Sequence, residues 1–218
     1  MSDQGELPDR PLEDFGLIET LRWTREEGFF LLDKHLSRIA ASAAQLGVRY
    51  DEAAFLAALE SAVAGAAAGR LRVRLVLKAG GELESLAAAI EPEAPGRVWR
   101  VAVARRRFSS ADPLLRHKTT RREIYESELA ESGADEVLFL NEREEVCEGA
   151  RTNVFLPRGG LLLTPPASCG LLPGTLRAHL LEKGEAVEEV LRLKDFGGGE
   201  FFMGNSVRGL IGARLGER

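Results

Sequence analysis

Cysteine is nearly missing from this chain. Only Cys147 and Cys169 occur in 218 residues, too few for a disulfide framework and wrongly spaced for a cysteine-based metal centre. The three histidines stand apart with no carboxylate partner in sequence, so no bound metal is expected. A long apolar run is absent too. The opening "MSDQGELPDRPLED" is acidic, and no stretch reaches the roughly 20 apolar residues of a membrane helix. Neither a secretory signal nor a membrane span is expected, and a cytoplasmic location follows. Positive charge is not in excess: 29 Lys and Arg against 34 Asp and Glu leave −5, which gives no general attraction to nucleic acid. The arginines at 105–107 read as a solvated strand end. A glycine-rich dinucleotide fingerprint is lacking as well, since "GGGEFFMG" follows no strand-to-helix pattern.

What is present is enough to build a core. With 44% hydrophobic and 29% charged residues, the chain reads as one large or two small soluble domains. Periodicity divides it at the polar, proline-containing segment 105–117, giving a small N-terminal α+β domain, 1–108, and a C-terminal domain, 109–218. Residues 1–13 are expected to be a disordered tail. In the first part, "FGLIETLRW" and "GFFLLD" read as a hairpin around the charged "TREEG" turn. "DKHLSRIAASAAQLG" reads as a helix with Asp33 as its cap candidate and Gly47 as its stop. A second helix is expected from Asp51 through the alanine-rich run ending near residue 69. The arginine-aliphatic alternations "RLRVRLVLK" and "RVWRVAVARRRF", with "LESLAAAI", read as strands. In the second part a helix is expected at about 119–132, followed by short strands broken by Gly, Pro and Asn. A further helix is expected near "LLPGTLRAHLLEKG", with Pro173 at its start.

Four features then fall into an order: Arg38 on a helix, Lys118 in "LRHKTTRR", "EVCEGARTNVF" from Glu145 to Phe155, and "GLLPGTLR" from Gly170 to Arg177. Taken singly each has an ordinary explanation. Lys118 could be a surface charge, Glu148 a turn residue before glycine, and Arg38 a solvated helical arginine. In sequence, "HLSRI", the lysine and "EGARTNVF…TPPASCGLLPG" together resemble the class IV aminotransferases, the pyridoxal-phosphate enzymes of fold type IV, across nearly the whole chain. The runs "FGLIETLRW…GFFLLDKHLSRIAASAAQLGV" and "HKTTRREIY" are most similar to the aminodeoxychorismate lyase branch, in particular the lyase module fused to p-aminobenzoate synthase.

That resemblance implies a fold, a cofactor and roles. The fold is α+β, with a small two-layer N-terminal domain and a larger domain of short strands and helices. The cofactor is pyridoxal 5'-phosphate, which needs a lysine, an acid at its ring nitrogen and a cationic or N–H-rich cradle for its phosphate. By resemblance Lys118 is the catalytic lysine, and neighbouring cations would favour its neutral, nucleophilic amine. Glu148 would sit at the ring nitrogen, and Arg38 would grip the phosphate, which a guanidinium fork suits. Backbone N–H groups of Gly174, Thr175 and Leu176 at a helix start would add to the cradle. Asn153 belongs to the same cofactor-binding set, and the "MGNS" turn offers Asn205 and Ser206 to the phosphate. Tyr125, seven residues after Lys118, would face the cofactor's phenolic oxygen if both lay on one helix, and is otherwise a half-buried core tyrosine. For substrate carboxylates the candidates are Arg22 and either Arg72 or Arg74; an exposed strand arginine is the competing explanation for each.

The resemblance also implies an activity: elimination of pyruvate from aminodeoxychorismate to give p-aminobenzoate for folate synthesis. A transaminase of branched-chain or D-amino acids would use the same residues, and a non-catalytic binding relative would not need all three of Lys118, Glu148 and Arg38. The chain departs from the family in lacking a strand and a "DRG…GDG" segment before "ET". A smaller first sheet is expected, with its open edge covered by a partner subunit in a homodimer.

Overall fold

A computed structural model describes residues 15–197 and 199–216. The expected tail at 1–13 lies outside these residues. The described chain divides into a small unit, 15–92 with 117–121, and a large unit, 93–116 with 122–216.

The small unit begins with β1 (Leu17–Thr24) and β2 (Gly28–Phe29), a hairpin paired at Trp23 with Phe29 and Thr24 with Gly28. The Thr24 hydroxyl accepts from Glu27 N at 3.0 Å and closes the charged turn. β2 is shorter than "GFFLLD" suggests because Leu31 adopts the left-handed conformation, φ 55°, and turns the chain into α1 (Leu32–Leu46). Leu31, with no side-chain hydrogen bond, occupies the cap position expected of Asp33. Asp33 lies in the first turn, where its charge favours the helix dipole. α1 buries His35, Ile39, Ser42, Ala43 and Leu46 along one stripe and stops at Gly47, φ 66°.

Asp51 caps α2 (Glu52–Val63) by accepting from Ala54 N at 3.1 Å. The helix ends at Val63, short of the alanine-rich run that follows. β3 (Arg70–Leu77) and β4 (Leu83–Ala89) complete a four-stranded sheet in the order β2-β1-β3-β4. Its buried face carries Leu17, Leu21, Val73, Leu75 and Leu77. Residues 117–121 return to this unit and lie along β1. Ile18 N donates to Lys118 O at 2.7 Å, and Thr120 N donates to Gly16 O at 2.9 Å.

The large unit is built on an eight-stranded sheet. Its strands are β5 (Trp99–Phe108), β6 (Glu136–Asn141), β7 (Val146–Gly149), β8 (Asn153–Arg158), β9 (Leu161–Thr164), β10 (Ala186–Glu188), β11 (Phe201–Asn205) and β12 (Gly209–Leu215). The order is β10-β9-β8-β11-β12-β5-β6-β7. β5, grouped by its alternation with the first part, pairs instead with β12 and β6, so the 108/109 division does not follow the sheets. Its register shifts between Val103 and Arg107, and the Glu128 carboxylate accepts from Arg105 N and Arg106 N within that irregularity. The arginine run is therefore a bulge held by a buried acid, not a plain strand end.

Helix α3 (Glu123–Ser132) starts later than expected because the backbone of 118–120 is already paired with β1. α4 (Thr175–Glu182) follows Pro173 and Gly174. No helix among the described residues is long and apolar enough to cross a membrane. β6 is buried throughout because both its faces are covered. Leu138 and Leu140 join Val154 and Met203 on one side, while Val137 and Phe139 join Phe108, Cys147 and Leu171 on the other. Phe139 is fully buried, stacks on Phe108 at 4.5 Å and meets Tyr125 edge-on at 5.2 Å. Phe139→Ala is expected to cost about 3 to 5 kcal/mol, read as a fall in the denaturant midpoint of the large unit.

Candidate functional site

In the small unit the site residues are tied to β1. Lys118 is fixed through its carbonyl to Ile18 N, and Thr120 doubles the tie by accepting from Gly16 N with its hydroxyl at 2.9 Å. On α1, His35 and Arg38 are three residues apart and therefore share a face. Both meet Glu19 of β1. The Glu19 carboxylate accepts from Arg38 Nε at 2.8 Å and Nη2 at 2.6 Å, and His35 Nδ1 lies 2.5 Å from its second oxygen. Burial opposes the charge on Glu19, but the Arg38 guanidinium and His35 outweigh it and hold the carboxyl at about 2. Burial pushes His35 below its ordinary value, and the charges of Arg38 and Lys118 add to that. A neutral His35 then donates its Nδ1–H to the carboxylate.

The other face of the same sheet is basic. Arg22 stands opposite Arg72, Thr20 opposite Arg74 and Thr24 opposite Arg70, so the four arginines share one face by strand alternation. Arg72 and Arg74 are two residues apart and are not alternatives. Arg22 stacks on the Phe30 ring at 4.1 Å and lies 3.7 Å from Glu27. Burial lowers its pKa, and so does the nearby Arg70. Arg70 was missed by the sequence reading, although the alternation of "RLRVR" carried the signal.

In the large unit, Glu148 is 5% exposed at the end of β7. Its carboxylate accepts from the Tyr125 hydroxyl at 2.9 Å and from Leu172 N at 3.1 Å. Tyr125 is on α3 while Lys118 is in the extended stretch before it, so the seven-residue spacing does not put them on one helical face. Burial, then the charge of Glu148, raises the Tyr125 phenol well above its ordinary value and keeps it a donor. Asn153 donates its Nδ2 to Leu172 O at 2.9 Å. Glu148 and Asn153 thus grip the N–H and C=O of one residue, two positions before Gly174. A Cβ on Gly174 would collide with the Asn153 side-chain oxygen, so only glycine allows this approach.

Past that point Gly174 is the N-cap of α4, with no side chain to close the helix start. The N–H groups of Thr175 and Leu176 then begin the helix. Asn205 serves its own turn: its oxygen accepts from Val207 N and Arg208 N, both at 3.0 Å, and its Nδ2 donates to Arg151 O. The Asn205 side chain thus holds the turn that carries it, and Ser206 is buried beside it. Glu136, also missed, accepts from Ala150 N, Arg151 N and the Thr152 hydroxyl and fixes the turn after Glu148.

The small unit offers a lysine held by its backbone and a fixed guanidinium, and the large unit, taken by itself, a buried carboxylate and a helix start with no side-chain cap; each is a group of the kind that a pyridine ring bearing an aldehyde and a phosphate requires. The residues present fit that group. The amino-transferase class IV pattern matches residues 16–215. The chain belongs to the class IV amino-transferase family. A Schizosaccharomyces pombe protein provisionally named an aminodeoxychorismate lyase is 30% identical over 184 residues, covering 82% of this chain and 78% of that one. The crystal structure of a protein from Mesorhizobium loti, provisionally named an amino-acid aminotransferase, is similar with a TM-score of 0.89 and 45% identity, covering 93% of this chain and 100% of that one. A hypothetical aminotransferase from Mycobacterium tuberculosis in its PLP-bound form gives a TM-score of 0.79 at 21% identity, covering 100% of this chain and 90% of that one, a likeness of fold. The fold-type-IV α+β architecture read from the sequence is borne out.

Because Glu19 is depressed from 4.5 to about 2 and His35 is also lowered, both contribute stability that is complete above their unfolded values and lost as pH falls. Thermal melts are expected to weaken below about pH 6.5 as His35 gains a proton in the unfolded chain, and again from pH 4.5 towards 2 for Glu19. Glu19→Gln should lower the melting temperature near pH 7, by an effect on the order of 3 kcal/mol, and the gap from wild type should close as pH approaches 2.

Proposed function

We propose that the protein is a pyridoxal-phosphate-dependent aminotransferase of amino acids. The observation that carries the cofactor is the buried Glu148 carboxylate, braced by Tyr125 and the Leu172 N–H, in a chain that matches the family from residue 16 to 215. The aminotransferase reading is supported by the 45% identical relative, which carries that name over its whole length. The amino-acid preference includes branched-chain and D-amino acids as the classes to test.

Pyridoxal phosphate, when bound, supplies an electron sink for the carbon that bears the substrate amine. Lys118 would hold the cofactor and would serve as the base that moves the proton from that carbon to the cofactor carbon beyond the nitrogen. Its backbone tie to β1 brings the amine back to the same place each turnover. Glu148 would hold the ring nitrogen protonated, and the Tyr125 hydroxyl and Leu172 N–H keep its carboxylate from turning away. In the small unit Arg38 would serve as a phosphate ligand, and in the large unit the N–H groups of Gly174, Thr175 and Leu176 would do so, with Ser206 a further contact. Arg22, Arg70, Arg72 and Arg74 receive the carboxylates of donor and acceptor.

A second reading is aminodeoxychorismate lyase, which the Schizosaccharomyces pombe relative favours. There Lys118 removes the same proton and pyruvate leaves from the neighbouring carbon, giving p-aminobenzoate for folate synthesis. Side-by-side product assays separate the two: keto-acid formation from an amino-acid and keto-acid panel supports transamination, and p-aminobenzoate without it overturns that in favour of the lyase. Lys118→Ala is expected to abolish either activity, together with the long-wavelength absorbance of lysine-bound cofactor, while preserving the far-ultraviolet circular dichroism.

The reading includes a homodimer. The front edge of β1, expected to be covered by a partner, is instead paired with the chain's own β2 and residues 117–121, so the edge left for a second copy is β4, where Leu86 is exposed. Light scattering at micromolar concentration is expected to give twice the 23.8 kDa chain mass, and a fully active monomer would exclude it.

A further inference from the structure

We propose that Glu19 is a positioning residue that sets the Arg38 guanidinium for an anionic phosphate; this rests on reading Arg38 as the phosphate ligand. The starting point is a placement that the sheet alone does not explain. Glu19 lies on β1 between Leu17 and Leu21, on the apolar side of the sheet, and is 1% exposed. A carboxylate in such a setting destabilises the fold unless its charge is fully used. Here it is used. One oxygen accepts from Arg38 Nε, and the other accepts from Arg38 Nη2 and stands against His35 Nδ1. A two-point grip on a planar guanidinium fixes the plane as well as the position of the group.

An arginine left to itself samples many rotamers, and ordering it on binding an anion costs part of the gain. Glu19 removes that cost beforehand. His35 completes the arrangement from the neighbouring turn of α1, its Nδ1–H meeting the remaining lone pair. The residue before Glu19 in β1 donates its N–H to Lys118 O. Adjacent residues of one strand thus set the lysine backbone and the guanidinium, the first through a peptide and the second through a side chain. A displacement of either is a displacement relative to the same ruler.

The alternative role for Glu19 is purely structural, and the two differ in what they do to ligands with and without a phosphate. The dissociation constants of pyridoxal phosphate and of pyridoxal are measured by fluorescence quenching on wild type and on Glu19→Gln, which keeps the size of the side chain. Wild type is expected to prefer the phosphorylated ligand. Glu19→Gln should weaken pyridoxal phosphate on the order of tenfold while leaving pyridoxal within about twofold, and in an Arg38→Ala background it should change neither further. An unchanged preference in Glu19→Gln, or an equal loss of both ligands, overturns the positioning role and leaves the cofactor assignment standing. A wild type that binds neither ligand overturns both. If circular dichroism shows Glu19→Gln unfolded, Glu19→Asp, which keeps the charge but withdraws the fork, is measured in the same way with the same criteria.

Discussion

Two backbone hydrogen bonds, Ile18 N–H to Lys118 O and Thr120 N–H to Gly16 O, fix the backbone of the proposed catalytic lysine in the small unit. They return a short segment from far along the chain to the edge of β1 that the two-residue β2 leaves unpaired. The brevity of β2 is itself forced, because Leu31 turns left-handed and starts α1 at once. A longer hairpin would occupy the edge that Lys118 needs. It would also delay α1 and shift His35 and Arg38 along the helix away from Glu19. The hairpin, the helix start and the lysine are therefore one constraint, and β1 is its common element.

Much of this was legible because it depends on local periodicity. The α1 stripe, the Gly47 stop, the Asp51 cap and the short strands of the large unit are each written in a window of a few residues. β5 was not assignable to a sheet because alternation reports that one face is buried, not which neighbour buries it. The α3 start was misplaced for a related reason. Residues 119–122 have no strong breaker, and what keeps Thr119 and Thr120 out of the helix is pairing with a strand a hundred residues earlier.

The candidate site shows the same division. The residues proposed to meet the cofactor, Lys118, Glu148 and Arg38, could be singled out by their order along the chain. Those that hold them could not. Glu19 in "LIETL" reads as the polar position of an alternating strand, yet it points to the apolar side because its partners are on α1. Glu136 in "ADEVLF" looks like a strand-entry charge and instead anchors Ala150, Arg151 and Thr152. Asn205 holds its own turn through its side-chain oxygen, a role its place in the chain does not announce. A carboxylate's role is fixed by donors that converge from distant segments, and local sequence does not encode that convergence.

The large unit solves its own version of the problem through the Leu172 residue. Glu148 takes its N–H and Asn153 takes hold of its C=O, so the turn between β7 and β8 and the approach to α4 are locked to each other. Glu136 fixes that turn from beneath. The buried acid and the helix start are consequently not independent: Leu172 ties Glu148 to Pro173 and Gly174, where a Cβ would collide with the Asn153 side-chain oxygen.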